Sequence, residues 1–174
     1  MAKSTFQGPV RSLGGLISAG PGGVVNLTAS TQLTVDDHAG RMLRVNGAAI
    51  TLTLPLINAV AASASDGPGY APAGLNNQGA TFRFFVQTAS TTLIITTSGT
   101  TDKLYGSVFI GIDNATTGKA FFPAATNAVI TLNGTTTGGL VGSYIELTVL
   151  SSLAWSVKAM LNGSGSIATP FSDS

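Results

Sequence analysis

The chain has 174 residues, of which only 15 carry a formal charge, eight Lys or Arg and seven Asp or Glu, so that the net charge is +1. Thr, Ser and Gly number 23, 17 and 22, whereas Glu occurs once, at Glu146. This composition favours strands and turns over surface helices, and it excludes a helical bundle and disfavours an α/β enzyme. No basic cluster is present to bind nucleic acid, and no cysteine is present for disulfides or thiolate metal sites.

Residues 1–30 are predicted to form an extended N-terminal arm. Gly and Pro interrupt any regular element here, and the segment carries Lys3 and Arg11 but no acidic residue. Apolar residues are spaced along it at Phe6, Val10, Leu13, Leu16 and Ile17. Such residues favour an arm that becomes ordered on a partner over a disordered terminus.

Residues 31–162 are predicted to form a single all-β body. Ile50, Leu52 and Leu54 alternate with threonines, as in a strand with one buried face. Further strands are predicted at 81–87, 92–97, 106–112, 119–122, 128–133, 143–150 and 154–161. Nine or ten short strands separated by turns are typical of a β-sandwich, a jelly roll or a small barrel.

Two polar stretches early in the body are interpreted as turns. Asn46-Gly47 lies between two strand-like runs and predicts a β-hairpin. The sequence Asp36-Asp37-His38, followed by Gly40, predicts a polar turn and not a metal or catalytic site, because neighbouring strand residues point to opposite faces. The other carboxylates are isolated in the sequence and form no obvious catalytic pair. The chain is therefore expected to have no catalytic residue, no metal site and no cofactor.

Two longer segments are predicted to lack regular structure. Residues 55–79 form a long loop rich in Ala, Ser, Gly and Pro, and loops of this length are usually functional. Residues 163–174 are predicted to form a flexible C-terminal tail. The aromatic residues of the strand runs are predicted to pack in the core, and not to stack on nucleic-acid bases: Phe82, Phe84, Phe85, Phe109, Phe121, Phe122 and Trp155.

The surface is expected to be covered in part by other subunits. The chain is 44% hydrophobic and its mean hydropathy is +0.38, although solubility usually depends on a charged surface. We therefore expect an assembly protein that associates with itself, most simply as a homotrimer. No secretion signal and no transmembrane helix is predicted, because the long uncharged stretch before Asp66 contains strand and loop residues.

Several segments together resemble the head decoration, or cement, proteins of tailed phages. They are residues 4–12 (Ser-Thr-Phe-Gln-Gly-Pro-Val-Arg-Ser), 52–55, 79–86, 138–147 and 155–157, followed by a Gly-Ser-Gly tail. The resemblance implies a structural virion protein, made in the bacterial host cytoplasm, that binds the capsid exterior and stabilises it by bridging major capsid protein subunits. It also implies that the arm contacts the capsid through Phe6, Gly8, Pro9, Val10 and Arg11, to which we add the next apolar residue, Leu13.

Two other functions stay open at this point. A phage fibre or another receptor- or carbohydrate-binding β-domain would also be rich in Thr and Gly, and would expose aromatic or acidic patches on loops. A free ligand-binding or ice-binding β-protein would use a flat array of hydroxyl groups, for which Thr51 and Thr53 supply a start, although the Thr-x-Thr pattern does not recur with a period.

Overall fold

The computed structural model describes residues 20–57, 77–112 and 118–173. These residues confirm the all-β class: they form twelve strands, a single-turn helix α1 (Val35–His38) and a short 3-10 turn (Pro21–Gly23). The strands are β1 (Val24–Leu27), β2 (Thr31–Gln32), β3 (Met42–Val45), β4 (Ala49–Thr53), β5 (Thr81–Val86), β6 (Thr92–Thr96), β7 (Lys103–Ile112), β8 (Lys119–Phe121), β9 (Val129–Leu132), β10 (Tyr144–Ser151), β11 (Ala154–Gly163) and β12 (Phe171–Ser172).

The strands form two mixed sheets. The large sheet has seven strands in the order β1-β3-β5-β10-β11-β7-β8, and the small sheet has five in the order β12-β9-β6-β4-β2. In the large sheet, β10 and β11 form an antiparallel hairpin, and β11 pairs in parallel with β7 over ten residues. The alternation of buried and exposed residues along these strands leaves each sheet with one face toward a shared core.

The first six strands alternate between the two sheets. The odd-numbered strands β1, β3 and β5 are parallel neighbours in the large sheet, and the even-numbered β2, β4 and β6 are parallel neighbours in the small one. The predicted hairpin at Asn46-Gly47 is therefore wrong, because β3 and β4 lie in different sheets. Gly47 crosses from one sheet to the other, where a Cβ would lie 2.6 Å from Ile50 Cγ2 and 3.0 Å from the Thr28 carbonyl oxygen.

One hydrophobic core joins the two sheets. Phe82 of β5 and Trp155 of β11 are fully buried, with ring centroids 5.8 Å apart in an edge-to-face arrangement. Such aromatic pairs contribute about 0.5–1.5 kcal/mol beyond the area they bury. The core prediction is correct for these two residues and for Phe84, but it is wrong for Phe109 and Phe122, which are exposed.

The sheets include residues at both ends that the sequence assigns to the arm and the tail. Val24–Leu27, inside the predicted arm, pair in parallel with β3, so the folded body begins before residue 31. Phe171, inside the predicted flexible tail, is buried and pairs with Ile130 of β9. Ile167 is also buried. Most of the predicted 55–79 loop lies outside the described residues, as does the arm up to residue 19.

Candidate functional site

The predicted capsid contacts lie outside the described residues: they are Phe6, Gly8, Pro9, Val10, Arg11 and Leu13. The described chain begins at Gly20, just before β1 at one edge of the large sheet. The site that the structure does describe is the outer face of this sheet, the face turned away from the core. We call it the outer face.

Strand register places charged side chains in one row across the outer face. Arg83 of β5, Glu146 of β10 and Lys158 of β11 are direct neighbours in the ladder. Arg83 Nε donates a hydrogen bond to Glu146 Oε2 at 3.2 Å, and the Tyr144 hydroxyl donates to the same oxygen at 3.1 Å. Glu146, the only glutamate of the chain, therefore lies on the outward side of β10.

The same row determines the protonation state of the Tyr144 hydroxyl. Burial raises the pKa of its hydroxyl, and the hydrogen bond to Glu146 and the charge of that carboxylate raise the pKa further. Tyr144 therefore stays a neutral donor at ordinary pH. Because the Arg83 and Glu146 side chains are 45% and 33% exposed, water screens their ion pair, and we assign it at most about 1 kcal/mol.

A second row, mostly apolar, runs parallel to the charged one. It joins the outward residues of four neighbouring strands in the order Phe85, Tyr144, Met160 and Phe109. Arg44 lies at one end of the row, next to Phe85, where its Nε donates to Asn26 Oδ1 at 3.2 Å. This row places aromatic rings, a thioether and a guanidinium along one line.

Exposed apolar residues concentrate at the β7 side of the outer face. Met160 and Phe122 are 65% and 72% exposed, and Tyr105 and Phe109 are also exposed. Phe122 directly follows β8, the strand at the edge of the sheet next to β7. We call these four residues the apolar patch: Tyr105, Phe109, Phe122 and Met160.

Glycine makes room for the largest ring of the apolar patch. A Cβ at Gly118 would overlap the Phe109 ring, and a Cβ at Gly111 would lie 3.7 Å from it. The Phe109 ring thus lies against backbone that carries no side chain. Beside it, a shallow depression of about 440 Å³ is lined by six residues: Gly111, Ile112, Leu140, Val141, Asn162 and Gly163.

The outer side of the small sheet is chemically different. Its outward residues on β4, β6 and β9 are uncharged, and threonine is common among them. Register places Thr53 beside Thr96, but it places Ile94 between Thr51 and Thr131. The hydroxyl array expected of an ice-binding surface is therefore interrupted.

The predicted polar turn at Asp36-Asp37-His38 forms the single-turn helix α1, and His38 is its last residue. The Thr34 backbone N–H donates to His38 Nδ1 at 3.0 Å, and the Thr34 hydroxyl accepts from the Asp37 N–H at 3.3 Å. His38 is buried at this position. Within residues 20–57, 77–112 and 118–173, no three His, Cys, Asp or Glu side chains converge as metal ligands, and no helix has the length and apolar composition of a membrane span.

Asp102, just before β7, is the one buried carboxylate of the described chain. It is 3% exposed, and no described residue offers a hydrogen bond to its Oδ2. Burial raises the pKa of this carboxyl, while hydrogen bonds from the backbone of Ile57 and Gly99 oppose the rise. The ionised form is therefore less favourable in the folded protein than in the unfolded chain.

Replacing Asp102 by asparagine is expected to stabilise the fold at pH 7, by up to about 1 kcal/mol, because the amide removes a buried charge and retains an acceptor. A carboxyl with a raised folded pKa stabilises the fold below its ordinary pKa and loses that contribution as pH rises through the folded value. The advantage of the variant should therefore disappear as pH falls below about 4. Urea unfolding at several pH values measures the difference, and an advantage that grows on acidification would contradict the assignment.

No protein-family profile, curated protein sequence or solved structure matches the chain. The likeness to phage decoration proteins therefore remains a resemblance of short motifs, and the function has to be argued from the residues of this chain.

Sequence reasoning missed the outer face because the face depends on register. Phe109 and Met160 are 51 residues apart in the chain and become neighbours only through the β7–β11 pairing. The available signal was weak: Phe109, Lys158 and Met160 fall at outward positions once strand alternation is applied to two long runs.

Proposed function

We propose that the protein is a structural virion protein that decorates the exterior of a phage capsid and stabilises it by bridging major capsid protein subunits. The observation that carries the proposal is the distribution of exposed apolar side chains. Of the nine large ones in the described residues, the four of the apolar patch and Val141 lie on or beside one part of the outer face. A concentration of exposed apolar side chains on one part of a protein surface marks protein–protein contact.

The low charge of the chain supports the same function. A protein with 15 charged residues in 174 and a net charge of +1 gains little solubility from electrostatic repulsion. Covering part of its surface in an assembly removes this disadvantage. We propose that the body associates as a homotrimer, as the sequence predicts, and that the arm reaches the capsid through Phe6, Gly8, Pro9, Val10, Arg11 and Leu13.

Stabilisation in this proposal is a mass-action effect. A protein that binds the assembled lattice, and binds dissociated subunits weakly, stabilises the lattice by RT ln(1 + [L]/Kd) for each site, where [L] is the concentration of free protein. No catalytic group, metal or cofactor takes part.

Capsids that lack the protein are expected to break at a lower temperature than decorated capsids. The comparison uses heads purified without the protein and the same heads after its addition, with DNA release recorded by dye fluorescence during heating. Adding an equal concentration of an unrelated small β-protein controls for crowding. Identical release temperatures with and without the protein would contradict the proposal.

A further inference from the structure

We propose that the outer face of the large sheet is itself a docking surface, and that its partner is a protein surface with acidic residues around an apolar centre. The inference rests on the proposed function, under which this partner surface belongs to the major capsid protein. It extends that function, because it assigns capsid contact to the folded body in addition to the arm.

Charge identifies the chemistry of the partner. The outer face carries three basic residues, Arg44, Arg83 and Lys158, and one acidic residue, Glu146. A fourth basic residue, Lys103, begins β7, where its charge acts on Asp102 and Asp173. An acidic surface complements this excess of positive charge, which fixes orientation and speeds encounter. Tyr, Phe, Met and Arg, which also lie on the face, are enriched in protein interfaces.

The face has the dimensions of a protein interface. Five strand spacings separate β1 from β7, and β10 is eight residues long, so the face measures about 24 Å by 26 Å. This is about 600 Å², near the roughly 800 Å² per partner of a typical specific complex.

The same charges disfavour two other occupants. Two copies that meet face to face about a two-fold axis would oppose one basic surface with another, which is unfavourable. Single-stranded nucleic acid requires a continuous cationic path. Here Glu146 lies between Arg83 and Lys158 and holds the Arg83 guanidinium in an ion pair, so the path is interrupted.

The test compares outer-face variants with a control on the small sheet. Met160→Glu places a negative charge in the apolar patch, and Lys158→Glu reverses a charge beside it; both side chains are exposed, so the fold is expected to persist. Thr92→Glu, at an exposed outward position of β6, is the matched control. Circular dichroism and thermal melting monitor folding in all three variants.

Binding to undecorated heads is the readout. We expect Met160→Glu to weaken binding by about 30-fold or more, the loss typical of a residue at the centre of an interface. Lys158→Glu should weaken binding and reduce its salt dependence, and Thr92→Glu should bind like the wild type. If the wild type binds heads and all variants bind equally well, the inference is wrong while the proposed function stands. If the wild type does not bind heads, the proposed function fails, and this inference fails with it.

Two further measurements test whether a second copy of the chain or a nucleic acid occupies the outer face instead. Light scattering gives the oligomeric mass of each variant, and fluorescence anisotropy with a labelled oligo(dT) gives nucleic-acid binding. An unchanged oligomeric mass and no oligo(dT) binding support docking to an acidic protein. A loss of subunit association in Met160→Glu, or oligo(dT) binding that this substitution abolishes, would overturn it.

Discussion

Replacing Gly106 by alanine is expected to destabilise the fold strongly. Gly106 lies inside β7 with φ +132°, opposite Val157 of β11. A Cβ there would overlap the Val157 carbonyl oxygen, which belongs to the backbone and cannot turn aside. The disfavoured backbone conformation costs about 1–3 kcal/mol, and forced repacking costs a similar amount, so we expect a loss of about 2–6 kcal/mol.

Gly22→Ala is the matched control for this substitution. Gly22 lies in the short 3-10 turn, and no atom would lie within 4 Å of a Cβ added there. The free energy of unfolding of the Gly22→Ala variant should stay within about 0.5 kcal/mol of the wild-type value. Urea denaturation of the three proteins measures both effects. A Gly106→Ala variant as stable as the Gly22→Ala variant would show that β7 and β11 do not pair as described.

Deleting residues 2–19 is expected to abolish most of the affinity for capsids while leaving the body folded. Ordering the arm costs about 1–2 kcal/mol per residue in backbone entropy, and each large apolar side chain that becomes buried returns about 1.5–3 kcal/mol. Backbone hydrogen bonds to the capsid must supply part of the difference. The deletion ends at residue 19 because Val24 begins β1 and pairs with Met42.

The deletion separates the role of the arm from the stability of the body. The truncated protein should keep the β-sheet circular dichroism and the melting temperature of the full chain, while its binding to undecorated heads falls. Substituting Arg11→Ala in the full chain tests one of the two cationic side chains of the arm and should weaken binding less than the deletion does. Full binding by the truncated protein would show that the arm is not the anchor.

The strand content was predictable from the sequence because it depends on local alternation. The runs that became β5, β6, β9, β10 and β11 were placed within one or two residues of their observed bounds. The strands missed were β1, β2 and β12, which have two to four residues and lie at sheet edges. A run this short shows no period of two, and tertiary pairing alone defines it.

The sheet arrangement was not predictable in the same way. Asn46-Gly47 has the residues of a tight hairpin turn, yet β3 and β4 each pair with strands of their own sheet. Local turn chemistry cannot distinguish a hairpin from a crossing between sheets. The exposure of Phe109 is not predictable for a related reason. An aromatic residue in a strand is expected in the core, and only the register of β7 with β11 shows that Phe109 lies beside Met160 on the outer face.

Counting the copies of the protein that bind an undecorated head is the most direct test of the proposed function. Purified protein is titrated onto heads, the free protein is removed by sedimentation, and bound protein is quantified against the major capsid protein. Decoration predicts saturation at a fixed ratio of bound chains to capsid subunits set by the lattice, with three chains per site if the protein acts as a trimer. Absence of binding, or binding that rises without saturation, would contradict the proposal.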